Sequence, residues 1–259
     1  QTIKLLQTAH LLNLFCLVHR KNSQKLNYRN AHQLYDELWE LLVDNAPKAI
    51  APSDIEGALF KIADSALNQK TLSPIISGDD KEKIVLDYLA SNHAILVQNM
   101  GYSFFHQSFY DYTLARLFTS RGGSFFDKIQ KGFQGIEIRS TVKAVLEFDK
   151  EHNLNNYSND LRLIFNSSKI RQHIKLLTLS LIAMSEEVSE CEREAVFNTC
   201  SRDMRCLSFF LRGVHNDKWF TTLKPVVLPL VCTLNPKSEL LYPIANYLSV
   251  ASFRHVKEV

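Results

Sequence analysis

The sequence predicts a mainly α-helical protein that carries one small β-hairpin. Three observations point there. Only 8 glycines and 7 prolines occur in 259 residues, too few for a turn-rich β architecture. Long stretches such as "AHQLYDELWELLVDN" and "KIRQHIKLLTLSLIAMS" are apolar at helical spacing. One segment breaks that pattern: in "AILVQNMGYSFF" two apolar runs flank Asn99-Met100-Gly101, as the strands of a hairpin flank its turn.

The totals bound the function. At 46% hydrophobic, the chain can bury a large core in two or three units. A net charge of +3 with 22% charged residues argues against disorder and against a dedicated nucleic-acid surface, which needs concentrated Lys and Arg. Cys16, Cys191, Cys200, Cys206 and Cys232 are scattered and form no Cys-x-x-Cys pair, so neither a disulfide framework nor a zinc site is expected. Reduced thiols fit a cytoplasmic protein. Arg20 and Lys21 end the longest N-terminal apolar stretch before it reaches membrane-spanning length. The start at Gln1, close to an apolar helical stretch, fits a segment of a longer chain.

Residues 3–20 read as a mostly buried helix, with Leu5, Leu6, Leu12, Phe15, Cys16 and Val18 covering more than one face. After the polar break "KNSQKLNYRN", the next helix places Leu34, Leu38, Leu41 and Leu42 on one stripe, with Trp39 packed among them. Arg20, Lys21, Lys25 and Arg29 make a basic interhelical loop. Ser53 and Glu56 have capping-box spacing ahead of "DIEGALFKIADSALNQ". A second helix, "KEKIVLDYLASNH", leads into the hairpin. In "YSFFHQSFYDYTLARLF" the strand gives way to a helix at His106. Phe105, Phe109 and Tyr112 form one stripe of it, and Tyr110, Leu114 and Leu117 a second. Helix, helix, hairpin, helix over residues 53–118 suits a winged-helix module. Beyond Arg121-Gly122-Gly123 the sequence is helical, with polar breaks at "HNLNNYSND", "EEVSECERE" and "GVHND". Its segments have helix-pair length for an irregular, HEAT-like repeat, without a clean period. Pro225, Pro229, Pro236 and Pro243 imply helix starts or kinks. Trp219 and Phe220 follow the last break as a helix-start staple or an exposed anchor. Three segments result: a helical arm over 1–50, a winged helix over 51–120 and a helical repeat-like region over 121–259.

Catalytic motifs are missing. No Gly is followed by Lys, so the phosphate-cradling Gly-x-x-x-x-Gly-Lys-Ser/Thr loop does not occur. Neither a Gly-x-Ser-x-Gly elbow nor a His-Glu-x-x-His helix is present. No nucleophile with a base beside it is visible, and Asp79-Asp80 and Glu186-Glu187 read as solvated turns. His106 is the one candidate site residue. Its local sequence allows a core histidine bonded to a backbone carbonyl, or a ligand-binding imidazole at a helix N-terminus.

The stretch from Phe104 resembles the end of the winged-helix domain of NACHT-type STAND NTPases, whose pattern is Phe-x-His-x-x-Phe-x-Glu-Tyr/Phe-x-x-Ala. Phe104, His106, Phe109, Asp111, Tyr112 and Ala115 fill it, with Asp111 for the commoner Glu. "LLQTAHLLNLFCLVHRK" followed by "NAHQLYDELWELLV" is similar to the family's first helical domain. Together the matches cover residues 1–120, in the family's order. Thr8-Ala9 stands where many members carry a Pro against adenine, and the nucleotide-binding P-loop domain is absent from these residues.

The resemblance implies that His106 contacts the β-phosphate of ADP and holds the winged helix against a preceding nucleotide-binding domain. The chain itself would be no enzyme and carry no cofactor; ATP or ADP would belong to the full-length parent. Partners would be that upstream domain, a protein ligand or trigger, and further copies on activation, with neither nucleic acid nor membrane. The implied role is signalling or defence. A helical scaffold that binds protein without nucleotide is the alternative. A winged-helix DNA binder fits less well, because "ILVQNMGYSFFHQSF" has no Lys or Arg.

Overall fold

The computed structural model describes residues 6–20, 28, 30–76, 79–98, 101–120, 124–132, 134–185, 187–235 and 238–255. Among these residues thirteen α-helices and one two-stranded antiparallel sheet fall into two compact units, Gln1–Gly122 and Gly123–Val259. The fold is mainly α with one small hairpin. No helix of the described residues is long and apolar enough to cross a membrane.

In the first unit, α1 (Ala9–His19) is shorter and more exposed than its composition implied. Leu14 and Val18 are buried, whereas Leu12 and Cys16 face solvent, Leu6 precedes the helix and Leu5 lies outside the described residues. The helix packs chiefly on α2 (Ala31–Trp39), and one neighbour can cover only one stripe. The Asn30 side chain starts α2 by accepting the Gln33 N–H at 3.0 Å. Leu34, Leu38 and Trp39 are buried. The helix then widens into a π-turn over Glu40–Asp44, whose extra residue shifts the register and leaves Leu41 half-buried beside a buried Leu42. Of the basic loop, only Arg20 lies among the described residues, and it is exposed.

Helix α3 (Pro52–Gln69) starts earlier than expected. Pro52 occupies the first turn and Ala51 is the N-cap, so the Ser53–Glu56 capping box does not form. A proline there sacrifices only an N–H that would lack a helical partner anyway. Helix α4 (Asp80–Ser91) is capped by Asp79, which accepts the Glu82 N–H at 2.8 Å. Strands β1 (Ile95–Gln98) and β2 (Gly101–Phe104) then pair in register Ile95 with Phe104 and Gln98 with Gly101. Asn99 and Met100 of the expected turn lie outside the described residues. Gly101 is a strand residue, and the backbone of Pro74 and Ile75 runs against it. The Tyr102 N–H bonds the Pro74 carbonyl at 3.2 Å, and a Cβ on Gly101 would meet that oxygen at 2.8 Å.

Helix α5 (Gln107–Ser120) closes the unit against α2, α3 and β2. Both expected stripes are buried in it, except Phe105, which precedes the helix and is half-buried. Its core is aromatic: Tyr35 lies against Phe109 and Tyr112, and Trp39 against Phe60 and Tyr112. A polar clasp reinforces the α2–α5 contact. Tyr112 donates to Asp36 at 2.6 Å, and Arg116 donates to Tyr112 at 2.9 Å while lying 4.4 Å over the Trp39 ring.

The second unit contains α6 (Phe125–Lys131), α7 (Arg139–His152), α8 (Leu154–Asn166), α9 (Gln172–Ala183), α10 (Glu190–Cys200), α11 (Met204–Gly213), α12 (Phe220–Val231) and α13 (Leu241–His255). They alternate between two layers. Each helix packs on the next but one in its own layer, and α7 with α8, α8 with α9, α10 with α11 and α12 with α13 join the layers. This is the packing scheme of an α-solenoid with irregular repeats. "HNLNNYSND" is largely helix rather than a break: the Asn153 side chain caps α8, and Tyr157, Asp160, Leu161 and Ile164 turn its inner face to the core. Pro225 and Pro229 sit inside α12. Spaced four residues apart, they remove two helical bonds from the same face, and the helix continues. Pro243 falls in the first turn of α13, and Pro236 lies outside the described residues. Trp219 and Phe220 are fully buried, which rules out the exposed anchor.

Candidate functional site

Phe104, Phe109, Asp111, Tyr112 and Ala115 are all buried in the core of the first unit. His106, in the same motif, is exposed. The strand-to-helix change explains the difference. His106 leaves β2 two residues after Phe104 and is the cap of α5, its carbonyl accepting the N–H groups of Phe109 and Tyr110 at 3.1 and 3.3 Å. Its side chain therefore stands at the end of the helix rather than on the stripe that faces α2 and α3.

The ring is held by its own helix. His106 Nδ1 accepts the Ser108 backbone N–H at 3.1 Å and lies 3.0 Å from the Ser108 hydroxyl. An imidazole here does the work of the usual Ser, Asp or Asn cap. Because Nδ1 accepts, the proton of the neutral ring sits on Nε2. Desolvation holds the pKa of His106 below the ordinary 6.5, so the ring is neutral at pH 7. The result is a single N–H donor, Nε2–H, at the positive end of a helix. Among the described residues the His106 ring makes no hydrogen bond to a backbone carbonyl.

His106 is also packed from outside its motif. His10 of α1 stacks on it, with ring centroids 3.6 Å apart and planes 12° from parallel. His10 Nε2 lies 2.7 Å from the Tyr35 hydroxyl, and the Tyr35 side chain also lies beside Ser108. His106, Ser108, Tyr35 and His10 thus close a ring of contacts drawn from α1, α2 and α5. Burial pushes the Tyr35 phenol far above its ordinary pKa, so it stays a neutral donor or acceptor. The pKa of His10 is lowered by burial and, after that, by the His106 charge.

Sequence reasoning singled out His106 and not the other three. Tyr35 and Ser108 stand within helical stretches of the sequence, where neither carries a signal of its own. His10 gives no spacing signal, since its partner is distant in the chain. The Ser108 hydroxyl does stand beside an imidazole nitrogen, a pairing that the sequence did not reveal. That nitrogen is engaged by the Ser108 N–H as well as facing the hydroxyl, so the pair forms a cap. Among the described residues no group of three His, Cys, Asp or Glu side chains could hold a metal ion.

Two distant stretches of the sequence meet here: His10 follows Thr8-Ala9 in the first, and His106 lies in the second. No protein-family model matches the chain, and no curated protein is significantly similar to it.

Proposed function

We propose that this chain is the regulatory and sensor part of a STAND-type signalling NTPase. In this reading the first unit locks the ADP-bound resting state through His106, and the helical region 121–259 receives the trigger or partner. One observation carries the reading: five motif residues are buried, and the sixth, His106, is exposed with its donor nitrogen uncommitted among the described residues. The cap and the stack on His10 use Nδ1 and the ring face of His106, and leave Nε2–H for a ligand. A neutral Nε2–H at a helix N-terminus suits a phosphate oxygen, and the missing phosphate loop assigns hydrolysis to another domain. Release of the contact would free the first unit to rotate and permit assembly with further copies in the cytoplasm.

The stack of paired helices in 124–255 supports a second reading, a helical scaffold that binds protein without nucleotide. The open reading frame ahead of Gln1 separates them. A Gly-x-x-x-x-Gly-Lys-Ser/Thr loop there is expected, and its absence would remove the nucleotide role. In a parent that has the loop, His106→Ala deletes a hydrogen bond to a charged group, worth about 1.5–3 kcal/mol. ADP should dissociate roughly ten- to a hundredfold faster, with signalling in the absence of trigger. An unchanged off-rate together with a large fall in melting temperature would make His106 a packing residue.

A further inference from the structure

The stacked pair of imidazoles has a consequence that does not depend on nucleotide. We propose that His10 and His106 form a proton-operated latch, which fastens the N-terminal end of α1 to the β2–α5 junction at neutral pH and releases it on acidification. The geometry supplies both halves of the device. At a centroid separation of 3.6 Å, two neutral rings make favourable contact, whereas two imidazolium ions repel across the same gap. Protonation also reverses the role of His106 Nδ1. As an acceptor it caps the Ser108 N–H; as a donor it faces that N–H without a partner.

The surroundings do little to soften the charge. From α2 the facing titratable group is Tyr35, bonded to His10; from α5 it is Asp111, which acts on Tyr35; the β2–α5 junction contributes the neutral Phe105. Neither imidazole has a carboxylate partner among the described residues. The Tyr35 hydroxyl can turn from donor to acceptor and tolerate a first proton on His10. The second proton is the one that opens the stack. Both rings have pKa values below the ordinary 6.5, so the latch is fully formed above that pH and is lost as pH falls through the lowered values. Farther along α1, Leu14 and Val18 remain buried, so release is confined to its first turns.

The test uses the whole chain. Ring nitrogen shifts should show His106 protonated on Nε2 at pH 7.5; an Nδ1–H tautomer would overturn the proposal. Hydrogen-exchange protection of the first α1 amides, corrected for intrinsic rates, should fall about tenfold or more between pH 7.5 and 5.5, while α3 and α4 hold theirs. His106→Asn keeps an acceptor cap on α5 and removes one charge, so its α1 protection should not depend on pH. His10→Phe keeps a stacked ring without the second charge and should hold α1 at both pH values. Equal protection at both pH values in the unaltered chain, or a drop that persists in His106→Asn, would overturn the latch.

Discussion

The two units solve the problem of a helical core in different ways. The first, Gln1–Gly122, is filled with rings: Tyr35, Trp39, Phe60, Phe104, Phe109 and Tyr112 interlock around a single short hairpin. The second, Gly123–Val259, joins successive helices through buried polar side chains. Glu192 is buried while it accepts from Lys150 at 2.8 Å, from Tyr157 at 2.6 Å and from the Ser189 N–H at 2.8 Å. Gln134 ties the Ile129 and Lys169 carbonyls to the Arg171 N–H. Asp160 accepts from Ser124 at 2.7 Å and shares a hydrogen bond with Asp149. Aromatic packing tolerates small shifts of register, but a buried carboxylate with several donors does not. Both units bury aromatic side chains, Phe210, Trp219, Phe220 and Tyr247 among them in the second; what sets the second unit apart is the buried polar centres it adds to that packing.

Removing one polar centre of the second unit should have the largest effect. Glu192→Ala leaves the buried Tyr157 hydroxyl without its acceptor and takes the carboxylate from Lys150, which keeps the Ser185 hydroxyl and the Glu187 carbonyl, and should lower stability by about 2–4 kcal/mol. Urea unfolding of the whole chain, followed by probes in each unit, should show the transition of residues 124–255 moving to lower denaturant. A shift below ~1 kcal/mol would erase the contrast between the units.

Asp160 should behave in the opposite sense. Burial, opposed in part by the Ser124 hydrogen bond and reinforced by Asp149, pushes its pKa up to about 7 from an ordinary 3.8. Its raised value means that the contribution of Asp160 to stability is fully present below the ordinary pKa and is lost as pH rises through about 7. Asp160→Asn imitates the protonated acid, accepting from Ser124 and donating towards Asp149. The variant should gain on the order of 2–4 kcal/mol at pH 8 and have a flatter pH profile between pH 4 and 8. Melting temperatures across that range check it; an unchanged slope counts against a shared proton.

In the first unit, Gly101→Ala forces a methyl group against the Pro74 carbonyl and should cost about 1–3 kcal/mol, with loss of protection in β2. Tyr112→Phe keeps the ring and removes the clasp to Asp36 and Arg116. The expected loss is about 1–2 kcal/mol, smaller than that from Glu192→Ala because aromatic contacts remain. If Tyr112→Phe proves the more damaging, the first unit also depends on a polar centre.

Much of this arrangement was legible in the chain. The stripes Phe105, Phe109, Tyr112 and Tyr110, Leu114, Leu117 follow from helical periodicity, and the apolar runs around residues 99–101 foretold the hairpin. The position of His106 at the strand-to-helix change was equally plain, because a change of period locates a helix start. Local rules misled where two signals competed. Ser53 and Glu56 have the spacing of a capping box, but Pro52 claims the first turn; Ser189 and Glu192 have the same spacing, and there the box forms. "HNLNNYSND" looks like a loop by composition, yet its buried Tyr157 and Asp160 belong to a helix.

By itself, the sequence determined the helical class, the one hairpin, the absence of a phosphate loop and the place of His106 at the start of a helix. All of these rest on residues within a few positions of one another, where backbone geometry dictates the outcome. The tertiary structure alone decided that α1 is only partly buried, that His10 stacks on His106, and that Lys150, Tyr157 and Glu192 meet in one cluster. Those contacts join residues tens of positions apart. Spacing along the chain carries no record of them, because only the packing of whole helices brings such side chains within hydrogen-bonding or stacking distance.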